Sequence, residues 1–168
     1  VLYIEPDALT LAAMNEKYEQ QQEMKKLLET MIGQEDITLD GRKMMLYCNI
    51  GSPEDVTSVI NNDGQGIGLF RSEFLYLAAS DYPSEDEQFE AYKAVLSDMD
   101  GREVIIRTCD IGADKQIDYF ELPKEENPAM GLRALRISLT RPDFFRTQLR
   151  ALYRASAYGN LGIMFPMV

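Results

Sequence analysis

Short apolar runs of strand length alternate along this chain with longer stretches of helical spacing. The runs cover residues 44–50, 66–70, 104–106 and 163–165, and polar side chains are rare inside them. Strands of this kind are typical of a parallel sheet that is covered on both faces. Alternation of strands with helices gives either a barrel or an open doubly wound sheet, and the periodicity alone does not choose between them.

Helix-start signals stand between the apolar runs. A Ser, Thr or Asp that caps the first turn, or a proline at its first position, precedes each predicted helix. The signals are Asp7, Ser52-Pro53, the capping box Ser84–Glu87, and Thr140-Arg141-Pro142. Residues 1–6 are predicted to form a short strand, and residues 113–130 an irregular, turn-rich segment.

The first predicted helix is long and ends at Gly33. Apolar side chains recur along it in an otherwise polar sequence, which predicts an amphipathic helix. We expect this stripe to serve packing rather than ligand binding. Its members are Leu11, Met14, Tyr18, Leu27, Leu28 and Met31.

Composition narrows the possible functions. The formal charge of −11 disfavours a nucleic-acid surface. No apolar run reaches the roughly 20 residues of a membrane helix, and the start does not resemble a signal peptide. Cys48 and Cys109 have no metal-type spacing, so free thiols in the cytoplasm are expected. The missing initiator Met suggests a piece of a longer protein.

Two of the apolar strands end in an arginine, Arg71 and Arg107. Ligands bind at the carboxyl edge of parallel sheets, and a guanidinium matches carboxylate or phosphate oxygens two at a time. The pattern therefore suggests an anion clamp. The alternative is that each arginine forms an ordinary ion pair, with Glu73 and Asp110 as partners. Gly66-x-Gly68 lacks the rest of a dinucleotide fingerprint, and we reject that interpretation.

Four long motifs in this chain are similar to those of enzyme I of the bacterial sugar phosphotransferase system. Residues 66–75 (GIGLFRSEFL) resemble its GxGLxRTEFL segment, and residues 104–115 (VIIRTCDIGADK) its VxxRTxDIGGDK segment. Residues 125–134 resemble its ENPxLGxRA run, and residues 148–167 its QLRA…IMFPM ending. The motifs occur in the same order, which makes the resemblance specific.

The resemblance implies the first half of a (β/α)₈ TIM barrel, with four parallel strands behind a long linker helix. Residues 1–39 correspond to the linker strand and helix from a phosphohistidine domain, and residues 40–168 to the partial barrel. It implies that the barrel binds phosphoenolpyruvate at its C-terminal face. The implied substrate-binding residues are Arg71, Arg107, Arg133 and Lys115.

The resemblance also implies what this chain lacks. The chain contains no histidine, and the family's phospho-accepting histidine corresponds to a position before Val1. The two Mg²⁺-binding carboxylates and the proton-donating cysteine correspond to positions beyond Val168. We therefore expect no catalytic residue and no metal site within these 168 residues, and no activity of the piece alone.

For the whole enzyme the resemblance implies Mg²⁺, a histidine-containing phosphocarrier protein as partner, a cytoplasmic location and a role in sugar uptake. A half-barrel would leave unpaired strand edges, so we expect a homodimer or a missing second half.

Ser72 and Ala113 replace a Thr and a Gly that are usual in the family. Ser72 keeps the hydroxyl, whereas Ala113 restricts the backbone if that position needs a positive φ.

Two other interpretations remain open at this stage. The related barrel of pyruvate phosphate dikinase or phosphoenolpyruvate synthase shares the arginine segments, although residues 127–134 and the linker helix favour enzyme I. A non-catalytic half-barrel that serves as a binding module is the third possibility.

Overall fold

Four parallel strands form a single sheet in a computed structural model that describes residues 3–112 and 117–168. The strands lie in the order β1-β2-β3-β4. Each strand pairs with the next one in sequence, as in a barrel, whereas a doubly wound sheet reverses its order at a switch point. The arrangement agrees with the predicted partial barrel. The strands are β1 (Tyr47–Ile50), β2 (Gly66–Arg71), β3 (Val104–Arg107) and β4 (Leu161–Met164).

Six α-helices accompany the strands within the described residues. Those that start at predicted signals are present; the predicted capping box forms at Ser84–Glu87, and a second one is found at Ser52–Asp55. Two helices of six residues each were not predicted, because so short a segment shows no periodicity. The helices are α1 (Ala8–Glu29), α2 (Val56–Asn61), α3 (Glu73–Ala78), α4 (Glu85–Asp98), α5 (Leu135–Thr140) and α6 (Pro142–Ala155).

The N-terminal segment differs from its prediction in two respects. Asp7 caps α1 as expected and accepts a hydrogen bond from the Thr10 amide at 2.7 Å. The predicted strand over residues 1–6 is wrong for residues 3–6, which form a bend; Glu5 has a φ of 49°, which an extended strand does not allow. The expected packing of the apolar stripe is also wrong here, since no residue of α1 is buried.

The core lies between the sheet and helices α2, α4 and α6. Strand residues such as Phe70 and Ile106 are fully buried against Tyr92 and Leu152 from the helices. Successive side chains of a strand point to opposite faces. Arg71 and Arg107 each follow one of these buried residues, so their side chains leave the sheet on the other face.

Gly66 and Gly68 make room for an aromatic ring on the neighbouring strand. A Cβ atom at Gly66 would lie 2.9 Å from the Tyr47 ring, and one at Gly68 would lie 3.1 Å from the Tyr47 Cβ. The close approach of Tyr47 therefore accounts for Gly68, and Tyr47 together with the Glu103 carbonyl oxygen, also 2.9 Å away, accounts for Gly66. In the described part of the chain, no helix has the length and apolarity that crossing a membrane requires.

Candidate functional site

Arg71 and Arg107 are register partners at the carboxyl ends of the adjacent strands β2 and β3. Phe70 and Ile106, one position earlier, are also partners and anchor both strands in the core. The sequence placed these two arginines at equivalent strand ends, and the sheet sets them side by side. Neighbouring strands lie about 4.8 Å apart, which is close enough for two side chains to reach one small anion.

The Arg107 guanidinium is held by two carboxylates. It forms an ion pair with Glu73 and a second one with Asp110, with 3.2 Å between Arg107 Nη1 and Asp110 Oδ2. The Arg107 side chain is 18% exposed and that of Glu73 only 2%. The ion-pair partners that the sequence suggested are thus found for this arginine. Two fixed carboxylates restrict its conformations and set the direction of its N–H groups.

Arg133 joins this cluster through Asp110. Its Nε and Nη2 atoms both donate to Asp110 Oδ1, at 3.1 and 2.9 Å. Asp110 therefore bridges Arg107 and Arg133, and the Arg133 side chain is 12% exposed. The segment that ends in Gly131 and Leu132 thus places the Arg133 side chain against Asp110. Two of the four predicted substrate-binding residues are thereby brought together.

Arg71 has different neighbours. Its guanidinium carbon lies 5.1 Å from the centre of the Phe74 ring, in cation–π geometry. Its side chain lines a groove of about 690 Å³ between the β1–α2 connection and α3. The buried Nε atoms of Arg71 and Arg107 have no hydrogen-bond partner among the described residues, so each arginine retains an unused donor.

The β1–α2 connection beside Arg71 is held by one carboxylate. Asp55 accepts hydrogen bonds from the amides of Gly51 and Ser52, at 2.9 and 3.0 Å. These backbone donors lower the pKa of the Asp55 carboxyl below its ordinary value, and the charge of Arg71 adds to the effect. The connection thus keeps its shape at the rim of the sheet while Asp55 is ionised.

Sequence reasoning did not identify the buried amide that supports this edge of the sheet. Gln148 on α6 is fully buried and hydrogen-bonds to Ser72, Cys109 and Tyr92. A signal was available, because Gln148 occupies the face of α6 that also carries the buried Ala151, Leu152 and Ala155. A polar residue on a buried face needs partners.

The sequence also predicted roles for Lys115 and Ala113 and the absence of a metal site. Lys115 and Ala113 lie outside the described residues, so their predicted roles remain predictions. In the two described stretches, no group of three acidic or cysteine side chains is placed to hold a metal ion. The carboxylates nearest the arginines, Glu73 and Asp110, bind guanidinium groups instead. The described residues therefore do not fit a Mg²⁺ site.

The sequence profile of a known family, the PEP-utilising enzyme, PEP-binding domain (PEP being phosphoenolpyruvate), matches residues 18–168. The chain belongs to this family. The match covers the sheet, helices α2 to α6 and all four predicted substrate-binding residues. It confirms the recognition made from the arginine motifs.

Curated relatives of the chain carry the name phosphoenolpyruvate-protein phosphotransferase. The protein of Staphylococcus epidermidis is 52% identical over 165 residues, and that of Bacillus subtilis 48%. The protein of Geobacillus stearothermophilus is 49% identical over the same length. In each case the alignment covers 98% of this chain but only 28–29% of the relative. The chain thus spans less than a third of the length of these relatives.

Proposed function

We propose that this chain forms the phosphate-binding side of the phosphoenolpyruvate pocket in a phosphoenolpyruvate-protein phosphotransferase. The whole enzyme transfers the phosphoryl group of phosphoenolpyruvate to one of its own histidines, and then to a histidine-containing phosphocarrier protein that serves sugar uptake. The register pairing of Arg71 with Arg107 carries the proposal. The names of relatives that are about half identical support the type of reaction.

The arginines are proposed to neutralise the negative charge of the phosphoryl group. Negative charge on the transferring phosphoryl group is stabilised by guanidinium groups that are already in place before the reaction. Glu73 and Asp110 fix Arg107, and Asp110 also fixes Arg133. Each charge-assisted hydrogen bond to the phosphate contributes roughly 1.5–3 kcal/mol. Lys115 is proposed to complete the same side of the pocket.

The chain alone is proposed to bind phosphoenolpyruvate without transferring its phosphoryl group. It contains no histidine to accept the group. Mg²⁺ stays an expectation for the whole enzyme, through ligands that are not among the residues of this chain. Homodimer formation and a cytoplasmic location are likewise proposed for the whole enzyme.

Calorimetric titration of the full-length enzyme with phosphoenolpyruvate tests the pocket. Arg107→Ala and Arg71→Ala should each weaken binding roughly 10- to 100-fold, the equivalent of about one charge-assisted hydrogen bond. Arg146→Ala is the matched control, because Arg146 is 67% exposed and pairs with Asp143 in its own helix. Wild-type affinity in both Arg71→Ala and Arg107→Ala would refute the pocket.

The type of reaction is tested with phosphoenolpyruvate that carries a labelled phosphoryl group. The label should appear on a histidine of the full-length enzyme and then move to the phosphocarrier protein. Transfer of the label to a nucleotide would favour the related dikinase barrel instead. Tight binding without any transfer by the full-length protein would favour the non-catalytic binding module.

A further inference from the structure

Gln148 makes hydrogen bonds with all of its side-chain polar atoms although it is completely buried. Its carbonyl oxygen accepts from the Cys109 amide at 2.9 Å. Its amide nitrogen donates to the Ser72 hydroxyl and to the Tyr92 hydroxyl, each at 3.1 Å. A single side chain of α6 thereby contacts the ends of β2 and β3 and the middle of α4.

The two strand ends that Gln148 joins are those that carry the arginines. Ser72 directly follows Arg71, and Cys109 lies two positions after Arg107. Ser72 in turn donates to the main-chain carbonyl of Arg107 at 2.6 Å. Hydrogen bonds therefore form a closed path from the end of β2 to the end of β3, and back through the side chain of Gln148.

Helix α4 supports this path through Tyr92, the third hydrogen-bond partner of Gln148. The Tyr92 hydroxyl donates to the carbonyl oxygen of Gln88 at 3.2 Å, and the Tyr76 hydroxyl donates to the same oxygen at 2.9 Å. The side-chain amide of Gln88 donates to the main-chain carbonyl of Pro83 at 2.9 Å. Burial raises the pKa of the Tyr92 hydroxyl well above its ordinary value, so this donor stays protonated. A fully satisfied buried network of this kind restricts movement of the groups it joins.

We propose that Gln148 is a positioning residue, which sets the distance between the arginine-bearing ends of β2 and β3 without touching the substrate. The inference rests on the proposed phosphoenolpyruvate pocket. Two arginines can bind the same phosphate group only when the strand ends that carry them keep a fixed separation. A misplacement of about 1 Å can lower the rate about 100-fold, so a residue that fixes this separation contributes to kcat/KM for phosphoenolpyruvate.

The test uses Gln148→Met in the full-length enzyme, because Met fills a similar volume and makes none of the three hydrogen bonds. We expect the KM for phosphoenolpyruvate to rise about tenfold or more while kcat per folded enzyme falls less. The Cys109 amide should exchange its hydrogen faster, because its acceptor is gone. A purely structural role would reduce the amount of folded enzyme, and so the maximal rate, and would leave KM and kcat per folded enzyme unchanged.

Thr147→Ala is the matched control on the same helix. The Thr147 hydroxyl donates to the Asp143 carbonyl at 3.0 Å within α6 and is not part of the path through Gln148. It should leave the KM unchanged. If Gln148→Met does not fold, Tyr92→Phe removes only one of the three contacts and should raise the KM in the same direction by a smaller factor.

The outcomes separate this inference from the proposed function. A normal KM in Gln148→Met, or in Tyr92→Phe where that variant replaces it, together with lost binding in Arg107→Ala, overturns the role of Gln148 and leaves the pocket standing. Unchanged binding in both Arg71→Ala and Arg107→Ala overturns the pocket and this inference with it. A raised KM in Gln148→Met together with lost binding in Arg107→Ala supports both.

Discussion

The Ser72 hydroxyl donates a hydrogen bond to the main-chain carbonyl of Arg107, 35 residues further along the chain. This bond joins the residue that follows β2 to the last residue of β3. Ser72 is fully buried, so its hydroxyl has no access to bulk water. The Ser72 hydroxyl therefore has a structural role at this edge of the sheet.

Ser72→Ala should lower the free energy of unfolding by about 1–3 kcal/mol, because it leaves buried hydrogen-bonding groups without a partner. Urea denaturation of the 168-residue chain, followed by circular dichroism, measures this change. Ser72→Thr keeps the hydroxyl and is the control. Equal stability of the Ala variant and the wild-type chain would show that the bond adds nothing.

Gly66→Ala should destabilise the sheet by about 1–3 kcal/mol, because the added methyl group is forced into a packed region. Its Cβ would lie 2.9 Å from the Tyr47 ring and 2.9 Å from the Glu103 carbonyl oxygen. In the double variant with Tyr47→Ala the ring contact is gone while the carbonyl contact stays. Denaturation curves should therefore show a smaller effect of Gly66→Ala in the Tyr47→Ala background than in the wild-type chain.

Asp55 should stabilise the protein in a pH-dependent way. Its pKa is lowered by folding, so its stabilising effect is fully present above the ordinary Asp pKa and is lost as the pH falls through the folded pKa. At pH 7, Asp55→Ala should cost about 1 kcal/mol, as the loss of a helix cap does. Denaturation of both proteins at several pH values checks this. A constant difference between pH 7 and pH 2 would contradict the assignment.

Arg107→Met should destabilise the fold as well as weaken substrate binding, because the almost completely buried Glu73 loses this cation. We expect a loss of about 2–4 kcal/mol in the free energy of unfolding. Adding Glu73→Gln removes the buried charge and should recover part of the stability. Binding should not recover with it, and calorimetry of the same two variants tests that difference.

The 168-residue chain should associate in solution. Strands β1 and β4 are the two edges of the sheet, and the sheet face opposite the core carries half-exposed apolar side chains such as Leu69 and Ile105. Unpaired strand edges favour pairing between chains. Light scattering after gel filtration should give about twice the monomer mass of 19.1 kDa. A compact monomer would contradict the prediction.

The sequence by itself determined the features that depend on neighbouring residues. The capping box at Ser84–Glu87 and the helix start at Ser52-Pro53 form as predicted, because the groups that they join are about three residues apart. The apolar runs predicted the strands, and the arginines that follow them marked the strand ends. Periodicity left the choice between a barrel and an open sheet undecided, and only the family motifs favoured the barrel.

Tertiary structure decided which distant side chains meet. The ion pair of Arg107 with Glu73 spans 34 residues, and the bond of Gln148 to Ser72 spans 76. Packing of α4 and α6 against the sheet brings these groups together, and no local pattern encodes that approach. The same reason explains the two errors at the N-terminus. Hydrophobic spacing predicts a strand or a packed helix, but burial requires a surface to pack against, which the described residues do not offer to α1.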